Sequence, residues 1–114
     1  NASALHVAAR NNRTGIIDRL VRLGADVNAR TSFGTTPLMT ASHRGSTAAA
    51  VLLVENGADL LAEDHLKHTA AQLAEQYAYD WRIALWLREA VTWKTAGANG
   101  PMPLPYRPGE YPLP

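Results

Sequence analysis

The sequence predicts an all-α chain built as a stack of similar helical hairpins. Three observations carry that reading. The first is a period: Ser3, Thr36 and Thr69 fall 33 positions apart, as do Leu5, Leu38 and Ala71, and Ala8, Ala41 and Ala74. The same spacing relates Ile17, Ala50 and Ile83; Leu20, Leu53 and Trp86; Val21, Val54 and Leu87; and Gly24, Gly57 and Ala90. A fixed period of this size, with no gap, marks a stacked repeat. The second is punctuation: Thr36-Pro37 reads as a capping hydroxyl followed by proline at the first helical position, and Gly45 and Gly57 read as left-handed stops. The third is apolar spacing, with Ile16, Ile17, Leu20 and Val21 on one helical face.

The elements follow in order. In the first unit a helix runs from about Ala4 to Arg10, and Asn12 stands where Gly45 stands in the second unit; Asn tolerates the left-handed region better than most residues. A second helix spans about Thr14 to Leu23. Arg19 occupies the station of Leu52 and Leu85, which suggests that this face lacks a neighbour and that the first unit is an amino-terminal cap. A loop from Gly24 to Thr35 leads to the second hairpin, Pro37 to Arg44 and Thr47 to Asn56. In the matching loop, Gly57 to His68, Lys67 stands where Gly34 provides a tight turn, so a less regular tip is expected. In the third unit Glu75 to Asp80 replaces the glycine turn with bulkier residues. An aromatic-rich helix from Trp81 then continues past Val91 toward Trp93, and its large rings are expected to cover the end of the stack.

The stretches Thr36-Pro37-Leu38-Met39-Thr40-Ala41, Ser3-Ala4-Leu5-His6-Val7-Ala8-Ala9 and Gly24-Ala25-Asp26-Val27-Asn28-Ala29 closely resemble the ankyrin-repeat family. Met39 stands where that family usually has His, and Thr69-Ala70-Ala71-Gln72-Leu73-Ala74 is an eroded version. The resemblance covers about residues 3–91. It implies a helical solenoid with an ankyrin domain over 1–93 (repeats at about 1–30, 31–63 and 64–93) and a separate extension over 94–114. It also implies hairpin-like fingers between repeats, a structural role for His6 against the adjacent loop, and protein binding by the finger tips and the inner helix face. Carried over by register, the binding positions are Arg10, Asn11, His43, Arg44, Gln76 and Tyr77 on the helices. On the fingers they are Arg30, Ser32, Phe33 and Thr35, then Glu63, His65, Leu66 and His68. Phe33 and Leu66 are the sharpest of these, because an apolar residue at an exposed tip has no folding reason to be there. In the resembled family Asn28 can be a hydroxylation site, but its reading here is a turn residue bonding its own backbone.

The extension changes character. Six of the seven prolines lie between Pro101 and Pro114, interleaved with Tyr106 and Tyr111. Such spacing excludes helix and central strand and leaves polyproline-like chain. Trp93, Leu104, Tyr106 and Tyr111 are its expected anchors on an apolar surface.

Composition narrows the function. Formal net charge is +1, arguing for neither nucleic acid nor an anionic membrane surface, though residues 1–44 carry +4 and residues 45–114 carry −3. That asymmetry becomes a basic end and an acidic end of the stack. No apolar run approaches the ~18 residues of a membrane span. With no cysteine there is neither a disulfide nor thiolate chemistry, which fits a reducing intracellular compartment. Residue 1 is Asn rather than Met, so a preceding segment is expected.

No catalytic constellation emerges: there is no phosphate loop, no nucleophile elbow and no carboxylate pair in an apolar setting. His65 and His68 on one finger are spaced for a metal but lack a fixed scaffold, so no metal or other cofactor is expected. Arg13, Arg19 and Arg22 form a solvated face. The expected role is therefore non-catalytic protein–protein interaction, as an adaptor or scaffold, with neither small-molecule substrate nor nucleic-acid partner. The alternatives are an accessory subunit of a large assembly, its extension docked on neighbouring chains, and a regulatory domain of a longer enzyme.

Overall fold

A computed structural model gives the architecture and describes residues 3–77 and 81–97. Among these residues there are six helices and no strand: α1 (Ala4–Arg10), α2 (Thr14–Arg22), α3 (Pro37–Arg44), α4 (Thr47–Glu55), α5 (Ala70–Tyr77) and α6 (Trp81–Thr95). Successive helices pair as hairpins. The first helices of the hairpins, α1, α3 and α5, form one row, and α2 packs on α4 behind it.

The starts and stops are chemical. Ser3 caps α1 in a reciprocal capping box with His6, and Thr36 Oγ1 accepts from Met39 N at 3.3 Å with Pro37 at the first helical position. Asn12 (φ 56°) and Gly45 (φ 71°) both turn the hairpin through the left-handed region, so Asn does in the first unit what Gly does in the second. Helix α6 runs through Ala90, where the other units have a glycine stop, and ends at Thr95 before Gly97 (φ 102°).

The core repeats with the sequence. Ile17, Ala50 and Ile83 are fully buried, as are Leu38 and Leu53. Trp86 fills the station of Leu53 and is 1% exposed, so it belongs to the continuous core. Leu20 is half-buried where Leu53 at the same station is enclosed, while Val21 and Val54 are both half-buried. Each fully buried aliphatic side chain contributes roughly 1.5–3 kcal/mol by leaving water.

Two expectations need correction here. Arg19 is exposed, but so is Leu85 at 47%, and Leu52 is only half-buried. The station lies at the edge of the outer row in every unit, so an arginine there does not single out the first one. The second finger is also as regular as the first. Lys67 takes φ 68° beside Gly34 at 82°, and the turn bonds match: Gly34 N to Thr31 O at 2.9 Å, and Lys67 N to Asp64 O at 3.0 Å. The turn is set by the side chain at its start. Thr31 Oγ1 accepts from Phe33 N and Thr35 N, and Asp64 Oδ1 accepts from Leu66 N and His68 N. The turn expected over Glu75–Asp80 and the covering rings of the third unit fall partly outside the described residues.

Candidate functional site: the inner groove and finger tips

The fingers stack on each other through the backbone. His65 N donates to Phe33 O at 3.0 Å, and the Arg30 guanidinium donates to Glu63 O. Gly34 lies beneath the His65 ring. This stacking leaves the side chains at the tips outside: Phe33 is 75% exposed and Leu66 76%. Neither folds back on its neighbour.

Between the fingers and the row formed by α1, α3 and α5 lies a groove of about 540 Å³. Seven of the positions expected from register line it: Arg10, Thr35, His43, Arg44, Leu66, His68 and Tyr77. Its apolar lining includes Met39 and Leu73, which register alone did not nominate, together with Thr40 and Asp64. A signal was present for two of them, since Val7, Thr40 and Leu73 share one 33-residue station. The rings of His43 and Tyr77 meet with centroids 4.6 Å apart and planes tilted by 37°.

The remaining positions lie elsewhere. Asn11 bonds Val7 O within its own helix, Gln76 is exposed outside the groove, and Ser32 is exposed on the first finger. Arg30, Glu63 and His65 serve the stacking of the fingers. Trp93 is half-buried on α6, with its Nε1 buried and, among the described residues, without a hydrogen-bond partner. Leu104, Tyr106 and Tyr111 lie outside the described residues.

Polar clips join the units. His6 Nε2 lies 2.8 Å from Thr35 O, the structural role its motif implied. Asn28 departs from its expected role: its side chain donates to Gly57 O at 3.3 Å and accepts from Asp59 N at 2.7 Å, bridging to the next unit. The turn bond belongs to Asp26, whose Oδ1 accepts from Asn28 N. Sequence reading also missed Asn12 Oδ1, which accepts from Ala49 N in α4, and Ser46 Oγ, which donates to Arg10 O.

The electrostatics of the groove are lopsided. Burial alone would raise the Asp64 carboxyl, but the His68 and Leu66 amides and the His68 ring outweigh it and hold it below the usual range. Its Oδ2 faces His68 Nδ1 at 3.5 Å. Among the described residues, no group of three or more His, Cys, Asp or Glu side chains is placed to hold a metal ion, and no helix is long and apolar enough to cross a membrane.

A family model described as ankyrin repeats, in three copies, matches residues 1–89. The chain belongs to the ankyrin-repeat family. Among curated proteins, it is 36% identical over 74 residues to protein phosphatase 1 regulatory subunit 12A of Mus musculus, covering 65% of this chain and 7% of the relative. Against the probable E3 ubiquitin-protein ligase XBOS31 of Oryza sativa subsp. japonica it is 32% identical over 101 residues, covering 88% and 22%. Against the potassium channel AKT1 of Oryza sativa subsp. indica it is 44% identical over 74 residues, covering 65% and 8%. The chain thus spans less than a quarter of the length of these ankyrin-repeat relatives. Ankyrin repeats generally mediate protein–protein interaction.

Proposed function

We propose that this chain is a non-catalytic adaptor whose inner groove and finger tips bind a protein partner. The observation that carries the reading is the pair Phe33 and Leu66. Two large apolar side chains stand three-quarters exposed at equivalent tips, and Leu66 also lines the groove. Folding does not need them there, and aromatic and aliphatic anchors of this kind dominate interface energetics. The groove supplies the complementary concave surface.

A second reading, a regulatory domain within a longer enzyme, draws support from the relatives, one named as a phosphatase regulatory subunit and one as a probable ubiquitin ligase. In both readings the chain itself recognises and does not catalyse.

Crosslinking the intact chain in native extract, followed by mass spectrometry, identifies the partner and the contacting residues. Phe33→Ala with Leu66→Ala is then expected to abolish binding while leaving the helical circular dichroism and melting point unchanged. Crosslinks confined to the outer row α2, α4 and α6, with binding indifferent to both truncations, would overturn the reading.

A further inference from the structure

We propose that the groove takes an acidic peptide segment, in which a carboxylate lies next to a bulky apolar side chain. This deepens the adaptor reading and rests on it. Three observations carry it.

First, the groove holds two unneutralised cations. Arg10 and Arg44 both line it, both are exposed, and among the described residues neither guanidinium has an ion-pair or hydrogen-bond partner. Arg22 and Arg88, by contrast, are engaged, with Asp18 at 3.1 Å and Glu75 at 3.5 Å, and the exposed Arg13 and Arg19 do not line the groove. Second, the acid that lines the groove cannot answer them. Asp64 has Oδ1 committed to the Leu66 and His68 amides and Oδ2 to the His68 ring, and its side chain is only 13% exposed. Its charge is spent on holding the turn. Third, exposed apolar surface lies along the same hollow, from Leu66 and Tyr77, above a floor closed by the buried Met39 and Leu73.

Charge complementarity therefore selects an acidic occupant, while the apolar lining selects a hydrophobic neighbour on it. A guanidinium fork grips a carboxylate in bidentate fashion. Two arginines and one groove are too few for a nucleic-acid backbone, which needs an extended basic track.

The test is selection of short peptides from a random display library on the intact chain. The wild-type chain, Arg10→Gln with Arg44→Gln, and Leu66→Ala with Tyr77→Ala are run in parallel, and affinities are read by fluorescence anisotropy. All four substituted residues lie on the surface, and unchanged circular dichroism verifies the folds of both variants. Expected is enrichment of Asp or Glu beside Leu, Phe or Tyr. Loss of both arginines should weaken those peptides about tenfold or more at low salt, and added salt should erase that difference. Peptides that depend on Leu66 and Tyr77 but show no acidic preference, or keep it in the Arg10/Arg44 variant, would overturn the acidic inference and leave the adaptor reading standing. If no selected peptide depends on either pair, groove binding itself fails.

Discussion

Gly34 and Lys67, 33 positions apart, occupy the same left-handed station at the tips of successive fingers, with φ of 82° and 68°. Only Gly34 lies under a neighbouring finger. A Cβ added to it would fall 2.7 Å from His65 Cδ2 and 3.2 Å from the His65 backbone N, whereas Lys67 is exposed. Substitutions at the two stations should therefore have opposite signs. Gly34→Ala meets both a conformational cost of about 1–2 kcal/mol and a clash. Lys67→Gly removes the same conformational cost, less the entropy that glycine loses on folding, and should be neutral or stabilising by up to about 1 kcal/mol. Urea denaturation of the two variants checks the pair. Equal destabilisation at both would mean that the fingers do not stack.

His6 carries the link from α1 to the first finger. Ser3 N donates to Nδ1 at 3.2 Å, which makes Nδ1 the acceptor and leaves Nε2–H to donate to Thr35 O. The ring is 2% exposed, so water cannot replace these bonds. His6→Ala is expected to cost about 1–3 kcal/mol. Thr35 O retains its bond from Thr31 N, which argues for the lower half of that range. His6→Gln, which can restore one of the two bonds, should recover part of the loss in thermal unfolding.

Asn28 closes the first unit onto the second by donating to Gly57 O and accepting from Asp59 N. Asn28→Asp keeps the acceptor and loses the donor; Asn28→Ala loses both. Each partly exposed bond is worth about 0.5–1.5 kcal/mol, so the order of stability should be wild type, Asp, Ala. Hydrogen exchange should localise the change, with the Asp59 amide losing protection in Asn28→Ala. Unchanged exchange at Asp59 would mean that the clip is not formed in solution.

The fold was legible because its determinants are local and repeated. Thr36-Pro37, Gly45 and the apolar stations each specify a conformation within a few residues, and the period then tells which helices stack. The joints between units were less legible. Asn12 caps a helix amide 37 residues away, and Asn28 reaches the next loop 31 residues away. A single sequence assigns such an amide its nearest backbone partner by default. Lys67 misled for a related reason. Its own propensity argues against a left-handed tip, but the carboxylate of Asp64, three residues earlier, imposes one. In the candidate site, register located Arg10, His43, Arg44 and Tyr77 on the inner face. It could not separate Arg30 and His65, whose groups hold finger to finger, from Phe33 and Leu66, whose side chains are left over.

That substitution of one turn chemistry for another gives the second finger a pH dependence that the first lacks. Asp64 does with a carboxylate what Thr31 does with a hydroxyl. Its carboxyl is held below the ordinary value in the folded chain, so between that lowered value and the ordinary ~3.9 the unfolded chain binds more protons. The contribution is thus fully present above about pH 5, falls as pH drops through the acid range, and is gone once the folded carboxyl itself is protonated. Asp64→Thr transplants the first finger's solution, keeping acceptors for the Leu66 and His68 amides without a titrating group. The stability gap between wild type and Asp64→Thr should therefore narrow as pH falls through the carboxylate range, wild type losing ground there. Urea midpoints of both chains, taken from neutral pH down into the carboxylate range, measure it. Parallel midpoints would mean that Asp64 ionises in the fold as it does in the unfolded chain, and that the amides of the second finger are held by something other than its charge.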